Sequence, residues 1–201
     1  MNISLSQLQA WLPSAVLVQG AFSASPSLTV QAIRTDSRSV VAGDLFIALK
    51  GETFDGTAFL LQAQNQGAVA VLFESSDLQS SDTQKHLQGV TIPAFCVPST
   101  RQALGELAAQ WRRQFDLALI GVTGSNGKTT VTHLVAHLLA SAGIDAPMCG
   151  NVGFSAAELA LERQGNGQPL PAWLVVELSS YQIESAPVLA PHIGLWTTLT
   201  P

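Results

Sequence analysis

The sequence predicts an α/β protein of two units, and three observations lead to that fold class. Short apolar runs alternate with helical patterns along most of the chain, the rhythm of strands joined by crossover helices in a mostly parallel sheet. A glycine-rich bend ending in Lys128-Thr129 stands between one such run and a helical segment. A hydrophobic fraction of 47% against 11% charged residues supplies material for a packed core and excludes a disordered tail. At 201 residues the chain is long for one domain and short for three.

The elements follow in order. Leu5, Leu8, Trp11 and Leu12 fall at helical spacing before Pro13, which reads as a short amphipathic helix. Leu28 to Arg34 alternates like a strand, and Thr35-Asp36-Ser37-Arg38 breaks it with turn formers. A second turn at Ala42-Gly43-Asp44 precedes the apolar run Leu45 to Leu49. A helix is expected from Thr57 to Gln66, closed by Gly67, and then a buried strand from Ala68 to Phe73. The polar stretch from Glu74 to Gln88 reads as a surface excursion, Thr91 to Val97 as a strand, and Thr100 to about Phe115 as a helix. The first unit therefore spans residues 1–115.

The second unit, residues 116–201, opens with the apolar strand Leu117 to Ile120, which runs into Gly121-Val122-Thr123-Gly124-Ser125-Asn126-Gly127-Lys128-Thr129-Thr130. A helix to about Ala142, a Gly-Asn turn, and a helix from Ser155 to Arg163 follow. After the linker Gln164 to Pro171, strands are expected at Trp173 to Leu178 and Ile193 to Thr198, with a short helical turn between them. There is no internal repeat.

Composition removes several classes of partner. Net charge is −5 and the nine Lys and Arg residues are scattered, so no basic patch points to nucleic acid or an anionic membrane. Cys96 and Cys149 stand singly without metal-ligand spacing, as inert thiols in a reducing compartment do. The first residues have no positive, apolar signal-peptide pattern, and no stretch approaches the roughly 20 apolar residues of a membrane span. A cytoplasmic monomer is the expectation.

The glycine-rich bend has the parts of a phosphate cradle. Gly124 and Gly127 allow the backbone to turn so that amide N–H groups, with those of Ser125, Asn126 and Thr130, converge on phosphate oxygens. The following helix aims its positive dipole end at the same place. Lys128 supplies a cation for the β and γ phosphates of ATP, and Thr129 a hydroxyl for Mg²⁺. The general pattern would carry its first glycine at position 122, which is Val122, with Gly121 one further away.

The variant Thr-Gly-Ser-Asn-Gly-Lys-Thr-Thr resembles that of the Mur ligases and of the related folylpolyglutamate synthetases. Gly150-Asn151-Val152-Gly153 resembles the turn with which Mur ligases hold ATP and its metal, which implies a role for Asn151. Glu177-Leu178-Ser179-Ser180-Tyr181-Gln182-Ile183-Glu184 resembles a segment of the D-glutamate-adding member. That likeness implies that Glu177 binds Mg²⁺ and that Ser179, Ser180 and Gln182 face the muramoyl-peptide substrate. Thr35 to Arg38 and Gly43 to Gly56 instead resemble the opening domain of the members that add a diamino acid or D-Ala-D-Ala. There Ser37 and Arg38 would approach the uridine diphosphate, and Glu52, Thr53 and Phe54 would line the uracil pocket. The resemblance thus implies a small mixed α/β nucleotide-sugar-binding domain followed by a partial P-loop domain.

Taken together, the resemblance implies an ATP-dependent amide-bond ligase of peptidoglycan-precursor synthesis, and so of cell-wall formation and cell division. It would join an amino acid to a UDP-N-acetylmuramoyl peptide through an acyl phosphate, with Lys128 and Glu177 central. The family's histidine-rich metal segment, carbamylated lysine and C-terminal domain would lie past Pro201, so ligation by this chain alone is not expected. Two alternatives stay open: a non-catalytic nucleotide-sugar-binding module, and a folylpolyglutamate synthetase-like ligase. His133 and His137 stand i, i+4 without a third ligand and read as a helix face, and neither His86 nor His192 has an evident partner.

Overall fold

The computed structural model describes residues 2–20, 28–51, 54–184, 186 and 189–198, leaving aside the side chain of Asp77. The chain divides into two compact units, Met1–Arg112 and Arg113–Pro201, and the α/β architecture with parallel sheets agrees with the sequence expectation.

The first unit opens with β1 (Ile3–Ser4) and α1 (Leu5–Trp11). Ser4 Oγ caps α1 by accepting from Gln7 N at 3.1 Å. Then come β2 (Val16–Gln19), β3 (Thr29–Val30), β4 (Ala32–Arg34) and β5 (Asp44–Ile47). These are followed by α2 (Leu60–Asn65), β6 (Ala70–Glu74), α3 (Ser81–Leu87), β7 (Ala94–Val97) and α4 (Thr100–Arg112). The five-stranded sheet runs β2-β7-β6-β5-β4, with β4 to β7 parallel and β2 antiparallel at one edge. Both faces are covered, and successive residues of each central strand serve opposite cores, as the period of two requires. Leu45, Ile47, Leu72 and Phe95 join α1 and α4 on one face, and Phe46, Val71, Phe73 and Cys96 join Leu60 and Ala63 of α2 on the other. Phe46, Phe73 and Phe95 are fully buried, each contributing about 1.5–3 kcal/mol by removal from water.

Several expectations need correction here. The run from Leu28 to Arg34 is two strands, because Gln31 N turns to donate to Gly43 O at 2.8 Å; β3 pairs with β1, and β4 with β5. The polar stretch 74–88 is not a plain excursion: it contains α3, capped by Ser80 and anchored by buried Thr83 and Leu87. Two anchors in seven residues leave too thin a periodicity to read. The helix expected from Thr57 begins as a 3₁₀ turn, Gly56–Phe59, capped by Asp55, and α4 ends three residues short of Phe115. The edge strand β2, an apolar run Val16-Leu17-Val18 followed by Gly20, was not among the expected elements.

The second unit contains β8 (Ala118–Thr123), α5 (Lys128–Ser141), β9 (Met148–Gly150), α6 (Ala156–Gly165), β10 (Trp173–Glu177), α7 (Ser180–Glu184) and β11 (Ile193–Trp196). Its sheet is wholly parallel, in the order β11-β8-β10-β9. Val131, Val135, Ala136 and Leu139 of α5 pack on Ile120, Val122 and Val175. Strand β9, like β2, was not foreseen. No helix among the described residues is long and apolar enough to cross a membrane.

Candidate functional site

All four parallel strands of the second unit bring their carboxyl ends to one edge: Glu177 is in register with Val122 and Gly150, and Trp196 with Thr123. This is the edge at which open parallel sheets place ligands. The loop Gly124 to Gly127 leaves β8 there and enters α5. Gly124 has φ +133° and Gly127 φ +78°, left-handed conformations that glycine adopts without strain. Gly127 caps α5 with no side-chain hydrogen bond, so the first-turn amides from Lys128 onward have no intrahelical acceptor and point out of the helix head.

The Lys128 ammonium folds over the bend and donates to Gly124 O at 2.9 Å and Ser125 O at 3.3 Å. Thr129 and Thr130 are exposed beside it. The Ser125 amide donates to Thr198 O and the Asn126 amide to Thr198 Oγ1, each at 2.9 Å. Thr197 and Thr198 were not foreseen as parts of the site. A pair of threonines at the end of an apolar strand was the only signal in the sequence.

Glu177 ends β10 with 5% exposure, and its Oε2 is buried without a hydrogen-bond partner. Gly150 (φ +102°) lies so close that a Cβ would strike the Glu177 carbonyl oxygen and come within 3.1 Å of its nitrogen. Asn151 N donates to Glu177 O at 3.2 Å. The Gly-Asn turn, the carboxylate and the phosphate loop are thereby brought to one edge. A buried carboxylate oxygen lacking a donor has the chemistry of a divalent-cation ligand, and Glu177 lies at the sheet edge from which the loop to α5 departs.

Beyond Glu177, Ser179 Oγ accepts from Gln182 N at 3.3 Å, and Gln182 Oε1 accepts from Ser179 N at 2.9 Å. This reciprocal pair is a capping box that starts α7. Ser179 and Gln182 thus have structural work of their own, while Ser180 and the exposed Tyr181 stand at the head of that helix.

In the first unit, Thr35, Asp36, Ser37, Arg38, Phe46, Phe54, Phe59 and Gln62 line a cleft of about 530 Å³. The buried Ser37 hydroxyl donates to Gln62 Oε1 at 3.3 Å. Phe54 stacks on Phe59 with ring centroids 5.7 Å apart and planes at 14°, a flat apolar wall suited to a base. The Arg38 guanidinium is paired with Asp36 at 2.7 Å, and its hydrogen bonds hold the Asp36 carboxyl down at about 2. Glu52 and Thr53 lie outside the described residues. Gln62 and Phe59, one helical turn apart, were missed, since helix residues that line a cleft look like any amphipathic face.

The weaker candidates resolve simply. His133 and His137 are exposed on α5, and no group of three metal-binding side chains occurs among the described residues. His192 has the partner the sequence did not show, its Nδ1 accepting from Leu119 N at 3.1 Å. Both cysteines are free and buried.

Comparison with known proteins bears on the family and the fold. The model for the Mur ligase family, catalytic domain, matches residues 29–112, and that for the Mur ligase middle domain matches residues 122–201. The chain is 58% identical over 100 residues, half of its length, to the UDP-N-acetylmuramoylalanine--D-glutamate ligase of Synechococcus sp. (strain CC9605), and that stretch is 22% of the relative. It is 61% identical over 98 residues to the enzyme of the same name from Prochlorococcus marinus (strain MIT 9313), covering 48% of this chain and 21% of that one. Among solved structures, MurF from Acinetobacter baumannii superposes over 98% of this chain and 41% of its own, with a TM-score of 0.64 and 25% identity. A MurF ligase from Thermotoga maritima in complex with ADP covers 78% of this chain and 34% of its own, with a TM-score of 0.53 and 27% identity. The chain therefore matches about a fifth of the length of these curated relatives.

Proposed function

The chain belongs to the Mur ligase family, and we propose that it is the front portion of an ATP-dependent carbon–nitrogen ligase of peptidoglycan-precursor synthesis, unable to ligate without further residues. In this reading residues 1–115 hold the UDP-N-acetylmuramoyl precursor and residues 116–201 hold ATP. The single observation that carries it is the meeting, at one sheet edge, of a helix head, an ammonium and a buried carboxylate whose Oε2 has no donor.

The chemistry is the one that membership of the family implies. A substrate carboxylate oxygen bonds to the γ-phosphorus of ATP and ADP leaves; an amine nitrogen then bonds to the acyl carbon, phosphate leaves, and the amine gives up a proton. Both steps gather negative charge, so the protein's task is positioning and neutralisation. The amides at the head of α5, with Ser125 and Asn126 shaping the bend, cradle the phosphates. Lys128 exchanges loop carbonyls for phosphate oxygens. Thr129 and Glu177, with Asn151 adjacent to Glu177, would hold Mg²⁺, which would supply further charge neutralisation. Ser37 and Arg38 approach the diphosphate, and Phe54, with Glu52 and Thr53, the uracil. Ser180, with the Ser179–Gln182 cap, faces the muramoyl peptide.

Calorimetric titration of the chain with Mg-ATP and with UDP-N-acetylmuramoyl-L-alanine tests the proposal. Both should bind, Lys128→Ala should lose the first and keep the second, and no phosphate should be released. Absence of both binding events would end it. Sugar-nucleotide binding without Mg-ATP binding would favour the non-catalytic module, the reading supported by the cleft alone. The family match over residues 29–112 favours the muramoyl reading over a folylpolyglutamate synthetase-like one, which should ignore uridine.

A further inference from the structure

We infer that Thr197 and Thr198, which follow β11, are positioning residues for the phosphate loop, fixing its bend so that the amides of the helix head, not those of the loop, face the nucleotide. The inference rests on the nucleotide site proposed above and adds to it a part that lies 71 to 74 residues further along the chain.

Thr197 spans both ends of the bend. Its amide donates to Thr123 O at 2.9 Å, and its hydroxyl is placed to donate to Thr123 O at 3.2 Å and, more closely, to Asn126 O. One hydroxyl thus joins the last residue of β8 to the residue before the helix cap. Thr198 grips the middle: its carbonyl accepts from Ser125 N, and its hydroxyl accepts from Asn126 N at 2.9 Å and lies 3.2 Å from Asn126 O. Gly124 sits under this strap, where a Cβ would strike Thr197 Oγ1 and come within 2.9 Å of Thr198 N.

The consequence for binding is specific. The Ser125 and Asn126 amides point at the strap, so the donors left for phosphate are those from Gly127 to Thr130 at the head of α5, with the Lys128 ammonium. A cradle made of helix-head amides keeps its geometry only while the preceding bend is held. If the strap is cut, the Asn126 and Thr123 carbonyls lose a donor and can turn into the space a phosphate needs, where they repel it.

The test is calorimetric titration of Mg-ADP into the whole chain, well below its melting temperature, for the natural protein, Thr197→Val, Thr197→Ser and Thr198→Val. Valine keeps the volume of Thr197 and removes its hydroxyl. Loss of one such hydrogen-bonded contact corresponds to about a tenfold weakening, so Thr197→Val should bind about tenfold more weakly. Thr197→Ser should stay within about twofold of the natural chain, a rescue that a packing role would not give. Thr198→Val should weaken binding and speed hydrogen exchange at the Asn126 amide, and it carries the test if Thr197→Val does not fold. Affinities of both valine variants within twofold of the natural chain would overturn the inference while leaving the nucleotide site standing. A natural chain that bound no Mg-ADP would overturn the site itself, and the inference with it.

Discussion

Replacing Glu177 by Met should make the second unit more stable and, at the same time, unable to respond to a metal-bound nucleotide. Glu177 is 5% exposed and its Oε2 has no donor. An unpartnered buried polar oxygen costs about 1–3 kcal/mol. Methionine has similar length and no oxygen to desolvate, and its flexible thioether adapts to the space. Imperfect fit offsets part of the gain, which leaves about 1 kcal/mol, and for a domain of this size that raises Tm by about 4–8 °C. On the proposed function the natural protein should instead gain stability from Mg-ATP, about 2.7 kcal/mol at a hundredfold excess over Kd. Scanning calorimetry of both proteins, with and without Mg-ATP, reads both effects. Glu177→Met should melt higher in plain buffer and show no shift with Mg-ATP. Melting at or below the natural protein in plain buffer, or an undiminished Mg-ATP shift, would refute the reasoning. Such a trade of stability for binding is the usual signature of a residue kept for its ligand.

Three other predictions follow from single contacts. Gly150→Ala forces a side chain into a left-handed backbone at φ +102° and onto the Glu177 carbonyl; it should cost about 1–3 kcal/mol and abolish the Mg-ATP shift, and a variant that melts and binds like the natural chain would count against the Gly150–Glu177 contact. Asp36 should titrate at about 2 by carboxyl NMR because Arg38 holds it below 3.8. Its folded pKa is lowered, so the stabilisation by this pair is fully present above the unfolded value and fades as pH falls through about 2; Arg38→Met should return it toward 3.8, and a natural chain already titrating there would show that the pair does not persist in solution. Burial raises both cysteine thiols above their usual range, so iodoacetamide at neutral pH should label Cys96 and Cys149 only on unfolding, with rapid labelling of the folded chain as the contrary result.

Much of the fold was legible because its strong elements obey period rules. The runs Leu45 to Ile47, Ala70 to Phe73 and Ala118 to Thr123 are strands since no helix of that length could bury such continuous apolar sequence on one face. The phosphate loop was legible for a different reason: Gly124 and Gly127 have φ values that other residues adopt only with strain. Elements defined by their partners were not. β2 exists through pairing with β7, with Gln19 bonded to Leu87 O and Val90 O, and α3 needs only Thr83 and Leu87 as anchors. The strap of Thr197 and Thr198 was hidden because its meaning lies in contacts with residues 123–126. Ser179 and Gln182 show the converse, a suggestive segment whose first use is to cap a helix.

The central claim is that phosphate oxygens of a nucleotide are held at the head of α5. It is tested most directly by following backbone amide resonances of the ¹⁵N-labelled chain during titration with Mg-ATP. The account predicts that Gly127, Lys128, Thr129 and Thr130 move most, that Ser125 and Asn126 keep their protection from exchange, and that Lys128→Ala abolishes the response. Saturable shifts confined to other residues, or no shifts at millimolar Mg-ATP, would contradict it.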